Sequence, residues 1–311
     1  MFDRRIVITA VAALAVNVTA ASAQDWKAKY PELVFAIVPA ENASGVTDRY
    51  EPFVEYLAKE IGTKVTLRVA NDYTAVIEGM KNRQIQIGFY GPGSYARAHE
   101  VSGGNVVPFV TTRNQDGSIG YFSVLYVKAD SPYKTIADLK GKNLGMVDVE
   151  STSGYKAPTF FLAEQGIPVS QHFAKAQPTG SHENAVLALT QGTVDASLNW
   201  WNSETDSNLT RMIKKGMLKN ADGSPMKYED FRIAWKSPLL AGSPYAILND
   251  MPEDLKKKIS QAFIDAPVKA KVAFERLSDG KDLGFAPVTH ADYVDFVKLN
   301  KYLEELRRKK S

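Results

Sequence analysis

Three hydroxyl residues, Ser151, Thr152 and Ser153, stand in a row in the stretch "GMVDVESTSGYKAP", between an apolar run and the start of a helical pattern. Small hydroxyls in front of a helix serve two kinds of chemistry. They cap it, by accepting hydrogen bonds from first-turn N–H groups that have no partner inside the helix. They also join those N–H groups as donors to an anion, which the partial positive charge of a helix start favours. Gly154 would let such a ligand approach the backbone closely. No arginine lies in the stretch, so a dianion would be held mainly by neutral dipoles, with Lys156 as an outer charge.

A second helix start, "TGSHENAVLAL", carries His182. An imidazole N–H there could reach the same anion, although a histidine in front of a helix also serves as a plain surface or capping residue. His182-Glu183 lacks the second histidine of a zinc-binding helix. The sequence offers little for catalysis. It has no cysteine, four histidines, no metal-ligand spacing and no G-x-S-x-G. A serine nucleophile at Ser151 or Ser153 would have His182 as its sole base. The chain therefore reads as a binding protein rather than an enzyme, with no cofactor and no metal expected.

The elements that must position these residues alternate between strand and helix. "LVFAIV" (33–38) is a short apolar run of the buried-strand kind. Phe53, Tyr56, Leu57 and Ile61 then fall at helical spacing, closed by Gly62. "KVTLRVA" (64–70) alternates as a strand, 74–84 reads as a helix and 85–91 as another strand. After the turn-rich Asn114–Gly120 segment a second series begins. It runs strand 121–127, strand "KNLGMVD", helix 152–165, a strand near Ala174, helix 183–191 and strand "VDASLN". Beyond 248 the pattern is mainly helical. This alternation implies α/β structure with parallel sheets covered by helices. The expected fold is two α/β lobes: residues 24–118 with 238–311, and residues 119–237. Crossing strands are expected near Val124 and Trp235, and a ligand cleft where the strands' carboxyl ends meet.

Residues 1–23 stand outside this pattern. Arg4 and Arg5, an apolar run from Ile6 to about Val18, and Ala21-Ser22-Ala23 form an expected secretory signal peptide, cleaved after Ala23. The run is short for a membrane span. Export to the periplasm follows, and the absence of cysteine fits that compartment better than a disulfide-stapled secreted domain. With 44% hydrophobic and 23% charged residues, the rest of the chain is a folded one rather than a disordered one. A net charge of +3, from 38 basic and 35 acidic residues, gives no reason to expect nucleic acid as a partner.

S-T-S-G after a strand, followed by S-H-E-N-A, resembles the phosphonate-binding proteins of bacterial ABC importers. So do "NDYTAVIEGM" (71–80), "IGFYGPGSY" (87–95), "DGSIGYFSVL" (116–125) and "AWKSPLLAGSP" (234–244), in the same order, over roughly 33 to 255. The resemblance implies a type II periplasmic binding protein that closes its lobes on a phosphonate, with 2-aminoethylphosphonate as the candidate. It also implies delivery of the ligand to an ABC permease of the inner membrane, by a chain expected to act as a monomer. Phosphite, a sulfonate or a phosphate ester is the alternative ligand. Carried over, Ser151, Thr152, Ser153 and His182 grip the phosphonate. Tyr73 and Tyr121 face an amine, and Glu204 pairs with it. Tyr90, which follows a strand, is expected to line the cleft. The chain departs from the family pattern twice. Ser243 stands where a second acid is expected, and "NWWNSE" inserts two residues, bringing Trp200 and Trp201. Asp195 reads as structural.

Overall fold

The computed structural model describes residues 26–308, so the expected signal peptide lies outside the described residues. Six strands build the first sheet and seven the second. The strands in chain order are β1 (Glu32–Ile37), β2 (Lys64–Val69), β3 (Ile87–Phe89), β4 (Val106–Asn114), β5 (Gly120–Lys128), β6 (Asn143–Met146) and β7 (Lys175–Pro178). They continue with β8 (Ala196–Ser203), β9 (Asp206–Ser207), β10 (Phe231–Lys236), β11 (Leu240–Ala241), β12 (Pro244–Leu248) and β13 (Asp282–Pro287). The first sheet has the order β13-β4-β12-β3-β1-β2, parallel among β1, β2 and β3 and antiparallel elsewhere. The second has the order β10-β5-β8-β6-β7, with β6, β7 and β8 parallel. β11 adds to the start of β5, and β9 folds back on β8.

The chain thus passes between the sheets through 115–119 and again through 237–243. Val124 and Trp235, expected at the crossings, lie instead within the second sheet, on β5 and β10. Both passages are short, and β11 pins the second beside Gly120 and Tyr121. The arrangement is the two-lobe α/β fold expected from the alternation of periods.

The helices start where their caps dictate. Asn42 accepts from Gly45 N–H at 2.9 Å and opens helix Ala43–Ile61, and Gly62 ends it with φ 78°, which a residue with a Cβ rarely adopts. Asp72 accepts from Ala75 N–H at 2.7 Å at the head of helix Tyr73–Lys81. Ser181 does the same for helix His182–Thr190, through Asn184 N–H at 3.1 Å. Beyond β12 the chain is mainly helical, as the sequence suggests, except that β13 inserts as an edge strand. "DLGFAP" hides it, with a glycine and a proline in six residues and a register shift at Gly284.

An aromatic cluster fills the first lobe. Phe263 meets Phe53, Phe109 and Tyr245 with centroids 5.0 Å apart in each case. The second sheet buries both faces. Val124 and Tyr126 of β5 pack with Val186, Leu209 and Met212 on one side, while Leu125 and Val127 pack with Leu144, Leu162 and Trp235 on the other. This is the period-2 alternation of one strand read on two faces.

Candidate functional site

The carboxyl ends of β1, β3, β6 and β8 converge on a cavity of about 150 Å³ between the lobes. That volume is of the order that holds a benzene-sized occupant. Val38, Ala40 and Glu41 follow β1, Gly91 follows β3, Ser151 follows β6, and Trp200 and Asn202 lie on β8. Tyr73, Gly91, Thr152 and His182 stand at helical starts and all line the cavity. The N-terminal dipoles of several helical segments therefore point into one volume.

The hydroxyl run begins a π-helical turn, Thr152–Lys156, that leads into helix Ala157–Glu164. Pro158 explains the irregular turn. It has no N–H to give the Gly154 carbonyl, which accepts instead from Val147 N–H at 3.0 Å. Gly154 does not line the cavity. A Cβ there would stand 2.2 Å from Val147 Cγ2, so the glycine serves close packing against Val147 rather than the approach of a ligand.

Ser151, Thr152 and Ser153 are all buried and all line the cavity. Ser151 Oγ caps Gly154 N–H at 3.1 Å and lies 3.5 Å from His182 Nε2. Capping and cavity lining thus coincide in one side chain. Thr152 Oγ1 accepts from Gly93 N–H at 2.8 Å. The Ser151 side chain lies near the Tyr73 hydroxyl, and those of Ser153, Thr152 and Ser243 near the Tyr121 hydroxyl, where each draws the phenol's pKa down. Burial outweighs that pull, taking the Tyr121 phenol up to about 12 and the Tyr73 phenol further up, so both rings stay protonated donors. Burial also brings His182 down to about 3, against the pull of Glu41. The imidazole is neutral at physiological pH. Its Nδ1 has no hydrogen-bond partner among the described residues.

A second group occupies the cavity's other end. Glu41 and Arg49 come from the first lobe, and Asp206 and Arg211 from the second. Glu41 is 5% exposed and pairs with Arg49 at 2.5 Å, Arg211 at 3.2 Å and Lys215 at 3.4 Å. Burial alone would raise its pKa, but the three cations bring it down to about 2. Arg211 also meets Asp279 at 3.0 Å and stacks over Trp200, 4.7 Å from the ring centroid. Asp282, on β13, completes the wall.

Several sequence-predicted residues fall elsewhere. Glu204 is exposed in the turn between β8 and β9 and does not line the cavity. Pairing of Ser203 with Asp206 across that turn swings Asp206 inward instead. Tyr90 is fully buried and its hydroxyl donates to the Val76 carbonyl at 3.2 Å, so Phe89 lines the cavity and Tyr90 does not. Lys156 points away from the cavity, donating to Glu150 and to the Gly93 carbonyl. Trp201 turns outward, its ring 4.1 Å from Lys236 Nζ, while Trp200 and Ser243 line the cavity. Asp195 accepts from Asn143 N–H at 2.8 Å, a structural bond. Glu41, Arg49, Asp206, Arg211 and Asp282 carried no motif that marked them. The one available signal was charge in a loop or helix start just after a strand, at Glu41.

Residues 35–293 match the family described as the periplasmic substrate-binding protein of phosphonate ABC transporters. The chain is 30% identical to the phosphate-import protein PhnD of Mycolicibacterium smegmatis, over 92% of each chain. It is 31% identical to the phosphonates-binding periplasmic protein of Escherichia coli, over 88% of this chain and 80% of that one. A crystal structure of a binding protein component of a phosphonate ABC transporter from Pseudomonas aeruginosa shares the fold, with a TM-score of 0.75 at 24% identity over 88% of this chain and 86% of the other. These relatives are substrate-binding proteins of transporters rather than enzymes. The chain belongs to the family of periplasmic phosphonate-binding proteins that serve ABC transporters.

Proposed function

We propose that this protein captures phosphonates as a monomer, and that Ser151, Thr152, Ser153 and His182 hold the phosphonate oxygens. The observation that carries this reading is the convergence of three buried hydroxyls, two protonated tyrosines and several helical starts on one side of one cavity. A tetrahedral oxyanion accepts from all of these, and no formal cation touches the hydroxyl run. Each charge-assisted hydrogen bond contributes about 1.5–3 kcal/mol, so a few of them offset association costs and reach micromolar binding. The passages 115–119 and 237–243 act as the hinge that opens the lobes for entry and release.

The finer reading is 2-aminoethylphosphonate. Tyr73 and Tyr121 offer faces to an ammonium group, and the other end of the cavity is lined by carboxylates. The phosphate-import name of one relative favours a second reading, inorganic phosphate. Phosphate would leave Asp282, which has no ion pair within 4.0 Å among the described residues, without a cation, and an unpaired acid is costly to bury.

Isothermal titration calorimetry over 2-aminoethylphosphonate, ethylphosphonate, methylphosphonate, phosphite, phosphate and ethanesulfonate tests this. The expected order places 2-aminoethylphosphonate first, other phosphonates next, and phosphate and sulfonate last. Binding of phosphate or sulfonate with no binding of any phosphonate would overturn it.

A further inference from the structure

We propose that Asp282 and Asp206 together form a cation subsite at the end of the cavity away from the hydroxyl run, in place of the acids that sequence matching would put at 204 and 243. The inference rests on the phosphonate reading and deepens it. It names the residues that select a positively charged ligand.

The ion pairs at that end leave one acid out. Glu41, Asp206, Asp279 and Asp282 supply four carboxyl groups, and Arg49, Arg211 and Lys215 supply three cations. Glu41 takes all three cations, and Asp279 takes Arg211. Asp282 forms no ion pair within 4.0 Å and no side-chain hydrogen bond among the described residues. Burial pushes its carboxyl up to about 7, although Arg211 and Arg49 pull the other way. Asp206 is 8% exposed, and its Oδ1 accepts no hydrogen bond. The nearest cation to that oxygen is Arg211 Nη2 at 3.9 Å, while Oδ2 is used by Asn202 at 2.6 Å. Two acceptor groups thus line one cavity with capacity unspent. Lys214, Lys215 and Lys281 lie on the outer side of the wall with Asp206 and Arg211, and none pairs with Asp282 or Asp206 within 4.0 Å.

A primary ammonium group meets these needs. It brings three donors and one positive charge, enough for the free oxygen of Asp206 and for the carboxylate of Asp282. The aromatic wall of Tyr50, Phe89 and Tyr245 borders the same volume and excludes water from the pair. Position 243 could not do this work. Ser243 lines the cavity beside Tyr121, Ser153 and Thr152, so an acid there would crowd the phosphonate. Asp282 shares no hydrogen-bond partner with the hydroxyl run.

The test is calorimetry with 2-aminoethylphosphonate and ethylphosphonate, which differ by the amine, on the wild type and on Asp282→Asn, Asp206→Asn and Glu204→Gln. The wild type should bind the amine form more tightly. Asp282→Asn and Asp206→Asn should each weaken 2-aminoethylphosphonate roughly tenfold or more while ethylphosphonate changes less than about threefold. Glu204→Gln should change neither. Normal ethylphosphonate binding certifies that a variant is folded, and if Asp206→Asn misfolds, Asp282→Asn decides alone. Equal loss of both ligands, or a tenfold loss in Glu204→Gln alone, would sink the subsite. A wild type that prefers ethylphosphonate would sink it too. No binding of either ligand by the wild type defeats the phosphonate reading, and this inference with it.

Discussion

Thr152 Oγ1 accepts a hydrogen bond from the backbone N–H of Gly93 at 2.8 Å, and the two residues belong to different lobes. The hydroxyl keeps its proton for a ligand, so one side chain both joins the lobes and faces the cavity. Neighbouring bonds cross the same gap. His182 N–H donates to the Ala40 carbonyl at 3.2 Å, and Glu183 accepts from Asn42 N–H and from its side-chain amide, both at 2.8 Å. In the proposed function, lobe closure and completion of the anion seat are therefore one event.

Thr152→Ser should keep ligand affinity within about threefold, while Thr152→Val should lower it roughly tenfold or more, since a buried N–H loses its acceptor. Gly91→Ala should resemble the valine variant, because a Cβ there would stand 2.6 Å from Thr152 Oγ1 and force the lobes apart. Calorimetry with methylphosphonate measures each. A serine variant as weak as the valine variant would break the link.

Ser153→Ala and His182→Ala should weaken every phosphonate, amine-bearing or not, by roughly 10- to 100-fold each, the range of a charge-assisted hydrogen bond. Their effects should fall short of adding, because both side chains are proposed to hold the same head group. Unchanged affinity in both variants would remove the seat from this part of the cavity.

Asp282 makes stability depend on pH. Its pKa rises from an ordinary 3.8 to about 7 on folding. Between roughly pH 4 and 7 the folded chain keeps a proton that the unfolded chain releases, so this group's contribution falls as pH rises. His182 acts in the opposite sense. Its pKa falls from 6.5 to about 3, so the unfolded chain takes up a proton that the folded chain refuses, and stability is lost as pH drops below about 6.5. Asp282→Asn should raise the melting temperature of the ligand-free protein at pH 7.5 more than at pH 5. Thermal melts across pH 4–8 check this, and a larger gain at the acid end would contradict it.

Glu41→Gln should destabilise the protein by about 3–5 kcal/mol, because Arg49 and Arg211 would be left buried without their counter-charge. High salt on the wild type should not reproduce the loss, since buried pairs escape screening. Urea unfolding with and without 1 M NaCl distinguishes the two cases, and a loss below about 1 kcal/mol would mean that solvent reaches the cluster.

Local signals carried most of the architecture. Caps at Asn42, Asp72 and Ser181 and the apolar runs of β1 and β5 are legible because neighbours in sequence decide them. The hydroxyl run and His182 are legible for the same reason, each preceding its own helix. The acidic end is not. β13 is an edge strand with poor strand chemistry, so Asp282 gives no hint that it faces a cavity. Glu204 and Asp206 sit two residues apart, and only the hairpin between β8 and β9 decides which turns inward. Tyr90 follows a three-residue strand, too short for alternation to assign its face, and Lys156 is turned away by the π-helical turn.

The position of β12 in the first sheet has a consequence for biosynthesis. It lies between β3 and β4, yet the ribosome reaches it only after every strand of the second sheet is made. The N-terminal strands must wait, with one edge of β3 and both edges of β4 unpaired, while the second lobe is an uninterrupted segment able to fold as it emerges. A nascent chain stalled before residue 244 should thus expose strand edges that chaperones would cover during export.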